Sequence, residues 1–333
     1  MSSRDRRGGS RGGSGGGRRS GGGGDGRSGG RGQGRGGQAA RGGSGGRGGH
    51  GSRGGQGGRG GQGGGRGGQG GGRPPARASG RRGLGGGQVE GRQAVRELLM
   101  AERRNVHEIW VSAELEGDPG VDDIVTIAAA KRVPVAYVGR AKVEREARSE
   151  APQGVIAFAA ELAEADLGVM LRRGRDGQPP FLVAVDGVTD PGNLGAIVRS
   201  ADGAGVSGLL IPQHRAAHVT PTVAKAAAGA VEYVSITLVP GLPAALARMK
   251  EHGIWVVGLD DGADRDLFDV DDLAREPICL VLGAEGPGLS RLVRERCDTI
   301  VSIPMQGGVG SLNVSVAATL AMYQVTRSRR PSA

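Results

Sequence analysis

Aromatic residues are scarce in this sequence, with three Phe, three Tyr and two Trp among 333 residues. So few rings cannot build a platform on which successive bases of a single strand would stack. Cysteine is scarcer still. Cys279 and Cys297 lie in apolar or helical surroundings, without the paired spacing of a metal site. Two free thiols in a reducing, cytoplasmic setting are expected, and a disulfide has little support. No run of about 18 apolar residues occurs, so no membrane-spanning helix is expected. The first residues carry charge but no apolar segment, so a secretory signal is not expected either.

Lysine is absent before residue 89, and what fills that stretch is glycine and arginine. Residues 1–88 hold 44 of the 69 glycines and 18 arginines against two acids, Asp5 and Asp25, a net charge of +16. Residues 89–333 carry 26 basic and 32 acidic side chains, a net of −6. The formal +10 of the whole chain is therefore a sum of two opposed parts. Charge alone excludes reading the folded part as a basic nucleic-acid-binding domain. Gly, Arg, Ser and Gln bury too little apolar area to offset chain entropy, so 1–88 is expected to be a disordered tail. Arginines spaced by glycine suit sequence-independent contact with RNA phosphates. The plainer alternative is a solubilising extension. The many G-x-G strings in the tail follow no strand and carry no dinucleotide-binding meaning.

Residues 89–162 have the pattern of a small α/β unit. Ala94, Val95, Leu98 and Leu99 recur at helical spacing. Strands are expected at 107–112, 133–138 and 154–158, with helices near 121–131 and 142–149. Residues 163–180 read as a linker with a helical piece. From 181 to 330 strands and helices alternate. Strands are expected at 181–185, 208–211, 233–239, 254–259, 278–282 and 299–303, and a last helix over 312–327. The unbroken apolar run Ile278-Cys279-Leu280-Val281-Leu282 suits a parallel sheet covered on both faces. Ligands of such sheets bind beyond the carboxyl ends of the strands, which singles out the loops after Val185, Leu282 and Ile303.

The first loop runs from Asp186 to Asp202. Asn193 sits where a helix N-cap belongs, after a Pro-Gly turn. Leu194, Ile197, Val198 and Ala201 form the apolar stripe of the helix that follows, and Arg199 lies off that stripe. Spacing alone favours a solvent-facing Arg199 paired with Asp202 at i+3. A catalytic Arg199 needs a second surface over it, from substrate or a partner subunit. The second loop, 283–290, holds Gly283, Gly286 and Gly288 in the order G-x-x-G-x-G after a late strand. That order and place argue against a Rossmann oxidoreductase. Glu285 is either an ordinary loop charge or an acceptor for ribose hydroxyls or an arginine. The third loop carries Ser311 and Asn313 at the start of a nearly uncharged helix, as caps or as site residues. So uncharged a helix is buried or lies in an interface. An amide in that apolar surround needs a specific partner.

Taken together, N-L-G-A-I-V-R at 193–199, L-G-A-E-G-P-G-L at 282–289 and I-P-M-Q-G-G-V-G-S-L-N-V-S-V-A at 303–317 resemble the three motifs of the SpoU/TrmH family of the SPOUT superfamily. These are S-adenosyl-L-methionine-dependent RNA ribose 2′-O-methyltransferases. The segments G-R-Q-A-V at 91–95 and Q-G-V at 153–155 resemble the family's substrate-binding domain. The likeness is nearest to the branch that methylates a guanosine of large-subunit (23S) ribosomal RNA. The resemblance implies an α/β parallel-sheet domain ending in a deep trefoil knot, preceded by a small ribosomal protein L30e-like domain. It implies S-adenosyl-L-methionine bound against Gly283, Ile303 and Leu312, and a homodimer to which the last helix contributes. It implies that Arg199 assists loss of the 2′-hydroxyl proton, with Asn193, Glu285, Asn313 and Ser311 around it, and that no metal takes part. Gly310 stands where many relatives have Ser, which implies a local loop adjustment. Transfer RNA or another ribosomal site, including one conferring antibiotic resistance, would use the same three loops. A ribosome-assembly protein without catalysis is the alternative of another class.

Overall fold

The computed structural model of the chain describes residues 83–263 and 265–330. Most of the expected tail, 1–82, lies outside the described residues. Its expected boundary at 88 needs correction. Leu84 is buried in the core of the larger lobe, and Gln88 already belongs to a strand. A single leucine in a glycine-rich run gives a weak sequence signal, yet burying it is favourable by about 1.5–3 kcal/mol.

The N-terminal lobe contains β1 (Gln88–Glu90), α1 (Arg92–Ala101), β2 (Val106–Ser112), α2 (Pro119–Ala130), β3 (Val135–Val138), α3 (Arg140–Glu146) and β4 (Val155–Ala159). The sheet order is β1-β4-β2-β3. β4 runs antiparallel to β1 and β2, while β2 and β3 are parallel. Helices α1 and α2 cover one face, where Val95, Leu98 and Leu99 meet Ile109, Val111 and Ile124. The helical stripe expected from 94–99 is this buried face. On the other face Trp110 packs edge-on against Phe158 at 5.0 Å between ring centroids, with Lys142 Nζ 4.0 Å above the indole.

The C-terminal lobe follows with α4 (Leu167–Met170), β5 (Phe181–Val185), α5 (Pro191–Gly203), β6 (Gly208–Pro212), α6 (Pro221–Ala226), β7 (Ile236–Val239) and α7 (Leu242–Glu251). It continues with β8 (Trp255–Leu259), β9 (Arg265–Asp266), α8 (Asp271–Ala274), β10 (Ile278–Leu282), α9 (Arg291–Arg294), β11 (Thr299–Ser302) and α10 (Val314–Arg329). The strands form one sheet, β7-β6-β5-β10-β8-β11-β9, and every pairing is parallel. Residues alternate between two cores: Val183 and Leu280 point to the face holding α5, α6 and α10, Ala184 and Val281 to the face holding α7 and α9. That double cover is why the central strands β5 and β10 are apolar at every position. The strand expected at 233–239 starts only at Ile236, because 230–232 forms a 3₁₀ turn.

A buried ion pair joins the lobes. The Arg104 guanidinium donates to both Glu232 carboxylate oxygens, at 2.9 and 2.5 Å, with side-chain exposures of 5 % and 1 %. It also donates to the carbonyls of Gly86 and Ala160.

Candidate active site

The carboxyl ends of β5, β8, β10 and β11 converge on one edge of the sheet, and two loops are tied there. Asp186, just after β5, donates its N–H to the Leu282 carbonyl at 2.7 Å and accepts from Ser290 N through its carboxylate at 2.7 Å. The turn after β10 closes on itself, with Ala284 and Gly288 exchanging backbone hydrogen bonds at 3.0 and 3.1 Å. A Cβ on Gly283 would stand 2.4 Å from the Gly288 carbonyl carbon, so no side chain fits that position. The glycines of this loop therefore serve backbone approach within the turn as well as access for a ligand.

Three polar side chains from three elements meet at this edge. Asp190, not Asn193, caps α5: its carboxylate accepts from Asn193 N at 2.7 Å, with Pro191 in the first helical position. The Asn193 amide is thereby free for tertiary contact. It donates to Glu285 Oε1 at 3.0 Å, and its Oδ1 accepts from Asn313 Nδ2 at 3.0 Å. Asn313 Nδ2 also donates to Glu285 Oε1 at 2.6 Å. The Asn313 Oδ1 caps α10 by accepting from Ser315 N at 2.9 Å. Asn313 thus has the specific partners that the sequence demanded of it. Ser311 is exposed and takes no part in the cap, which begins α10 at 314 rather than 312.

Beside this cluster lies a cavity of about 330 Å³. Gly283, Ile303 and Leu312 line it, as do Glu285, Ser311 and Asn313. All three residues expected against the cofactor and three of those expected in catalysis share this wall. Asp260 and Met305 also line it and were not singled out in the sequence. Asp260 follows β8 and accepts from Arg294 Nη1 at 2.5 Å, which pins α9 to the cavity rim. Its partner lies 34 positions away, a separation with no local signature.

Arg199 is on the same helix as Asn193 but on its exposed side. It makes no ion pair or side-chain hydrogen bond among the described residues. The i+3 pairing with Asp202 is not formed, because Arg175 Nη1 takes that carboxylate at 3.1 Å. Burial pushes the Cys279 thiol far up, and burial with nearby Asp298 pushes Cys297 to about 12. Among the described residues no cluster of three or more His, Cys, Asp or Glu could hold a metal ion, and no helix is long and apolar enough to cross a membrane.

Comparison with known proteins gives this geometry a family. The model described as "SpoU rRNA Methylase family" matches residues 180–323, and "RNA 2′-O ribose methyltransferase substrate binding" matches 88–165. A relative from Bacillus subtilis, named a putative TrmH family tRNA/rRNA methyltransferase YacO, is 39% identical over 73% of this chain and 96% of its own length. The chain belongs to the SpoU rRNA methylase family. The 23S rRNA (guanosine-2′-O-)-methyltransferase RlmB of Pseudomonas aeruginosa is also 39% identical, over 73% of this chain and 97% of its own. Among solved structures, the SpoU methyltransferase AviRb of Streptomyces viridochromogenes, in complex with AdoMet, superposes with a TM-score of 0.62 at 28% identity. That likeness covers 73% of this chain and 89% of AviRb. Membership makes this chain an RNA ribose 2′-O-methyltransferase, the enzyme class its motifs pointed to, and sets the oxidoreductase alternative aside.

Proposed function

We propose that this protein methylates the ribose 2′-oxygen of a guanosine in 23S ribosomal RNA, with S-adenosyl-L-methionine as donor. The observation that carries the reading is the Asn193–Glu285–Asn313 cluster beside a cavity built from the carboxyl ends of β8, β10 and β11. The cavity suits the donor in three ways. Its volume falls at the lower end of the ~300–1,000 Å³ of small-molecule sites. Leu259, Ile303 and Leu312 offer apolar surface, while Asp261 and Glu285 complement a cationic ligand. The glycine backbone at 283–288 permits close approach. When bound, S-adenosyl-L-methionine supplies an electrophilic methyl group on a sulfonium centre.

The 2′-hydroxyl is a weak nucleophile, and the protein's task is to favour its anionic form. Arg199 serves as a donor rather than a base, because a guanidinium carries five N–H groups and no acceptor atom. Its role is to stabilise the developing alkoxide while the proton passes toward a substrate phosphate. Glu285 orients the two amides, and Asn193 and Asn313 fix the ribose beside Arg199. The family's homodimer would supply the cover Arg199 lacks. α10 supports this: Val316, Leu320 and Tyr323 form an exposed apolar stripe, and Thr319 joins Ser200 of α5 at 2.7 Å. The reading includes the family's trefoil knot around the 303–313 segment and an L30e-like fold for the N-terminal lobe. In it, the arginine-rich tail adds salt-sensitive RNA affinity.

Replacing Arg199 by Ala tests the mechanism. The variant is expected to fold and to bind S-adenosyl-L-methionine normally while methyl transfer falls by roughly 100-fold or more. Transfer at the normal rate would remove Arg199 from the reaction. Mapping 2′-O-methyl positions in a deletion strain identifies the target nucleotide, and a lost mark on transfer RNA would replace the ribosomal assignment.

A further inference from the structure

A second cavity, larger than the one at the catalytic edge, stands apart from it. It lies in the N-terminal lobe, measures about 730 Å³, and is enclosed by the end of β2, by α3 and by the 147–154 loop. The methyl-transfer machinery does not use it. The two segments that resemble the substrate-binding domain meet in its wall: Arg92 N donates to Gln153 Oε1 at 3.0 Å, and Gly91 N to the Val155 carbonyl at 3.1 Å.

The cavity is built rather than left over. Glu90 is fully buried beneath the loop and holds it by accepting from Arg148 N at 2.7 Å, Ser149 N at 3.0 Å and Ser149 Oγ at 2.5 Å. Ser112 forms part of the wall at 3 % exposure, and its Oγ has no hydrogen-bond partner among the described residues. Buried polar groups without partners are rare in native proteins, and a hydroxyl covered within a cavity wall gains a partner when that wall opens to a group that can donate or accept. Leu115, Val143 and Pro152 supply apolar wall.

Charge at the mouth selects the kind of group that enters. Arg92 and Arg140 are present, but Glu114, Glu144 and Glu150 outnumber them. A bare phosphate would be repelled from the interior. A nucleobase would not: its faces suit the apolar wall and the guanidinium planes, and its amino groups donate to carboxylates. The wall is also coupled to the catalytic lobe. Lys225 Nζ of α6 donates to the Ala151 carbonyl at 2.5 Å, and α6 packs on the helix that carries Asn193 and Arg199.

We propose that this cavity receives one unpaired nucleobase of the RNA substrate, splayed out of its strand, with the Ser112 hydroxyl bonding the ring edge. The base is a recognition point apart from the methylated ribose. The inference rests on the RNA methyltransferase reading.

The test uses the full chain and two RNA probes of equal length, a hairpin with an unpaired loop and a blunt duplex. Wild-type protein is expected to favour the hairpin. Ala147→Phe, which fills the cavity from its wall, is expected to weaken hairpin binding by roughly tenfold, the scale of one lost base stack. Duplex binding and S-adenosyl-L-methionine affinity stay at wild-type values. Ser112→Ala is expected to weaken hairpin binding several-fold while raising the melting temperature, because it deletes a buried unpaired hydroxyl. A purely structural Ser112 would move the melting temperature alone. Should Ala147→Phe fail to fold, Ser112→Ala still decides. Unchanged hairpin binding in the folded variants overturns the cavity's role and leaves the methyltransferase reading standing. A wild-type protein that transfers no methyl group to RNA overturns that reading, and this one with it.

Discussion

Asn313 holds two jobs in one amide. Its oxygen caps α10 and its nitrogen binds Glu285 and Asn193. The jobs separate by substitution. Asn313→Ala removes both, and losing an N-cap costs about 1 kcal/mol. In a lobe of this size that lowers the melting temperature by roughly 2–4 °C. Asn313→Ser keeps a capping oxygen but not the amide donor. It is expected to melt near the wild type and still lose methyl transfer, measured with saturating RNA and donor. An Asn313→Ser enzyme of normal activity would leave the residue a cap and nothing more. At this scale the sequence was only half legible. Asn193 stands in a good capping context, but Asp190 precedes Pro191, whose fixed φ suits the first helical position. The cap therefore falls three residues earlier, and that shift is what releases Asn193 to Glu285.

The strands at 181–185 and 278–282 stand where their unbroken apolar runs placed them, since both faces of a central parallel strand are buried. β9 has two residues, Arg265 and Asp266, and β1 has three, too few to show any period. Helix α5 shows how an element can read well and still hide a constraint. Its stripe of Leu194, Ile197, Val198 and Ala201 is buried as its periodicity requires. Gly195, in the helix interior, reads as a weak point that Ala would improve by about 1 kcal/mol. The packing reverses that sign. A Cβ there would lie 2.4 Å from Ala226 Cβ and 2.8 Å from the Val223 carbonyl oxygen on α6. Backbone atoms cannot yield as a flexible side chain does, so overpacking prevails. Gly195→Ala is expected to destabilise by about 1–3 kcal/mol in denaturant titration. A stabilised variant would mean that α6 moves freely from α5, and the coupling of the lobes through α6 would lose its basis.

Across the whole molecule, the relation between the lobes rests on groups with no pattern in the sequence. Glu232 sits in an apolar stretch, Ala230-Val231-Glu232-Tyr233, where a carboxylate reads as a surface residue. The fold buries it against Arg104, 128 positions away. Around the pair, Tyr233 Oη donates to Glu97 Oε2 at 2.7 Å, and burial followed by that bond raises the phenol to about 12. Tyr233 therefore stays a donor throughout the neutral range. Desolvating two charges offsets much of their attraction, so the pair need not add stability over an apolar substitute. Its consequence is orientation: four hydrogen bonds from one guanidinium admit a single placement of the 86–104 region on the 230–233 turn. Arg104→Met alone strands a buried carboxylate and is expected to cost about 3–5 kcal/mol. The double variant Arg104→Met, Glu232→Leu removes both charges and is expected to recover most of that loss. If the pair sets the geometry of RNA delivery, the double variant will melt near the wild type and bind S-adenosyl-L-methionine normally, yet show a raised KM for RNA. A double variant with wild-type KM would reduce the ion pair to a stability element, and the lobes would need no fixed alignment for catalysis.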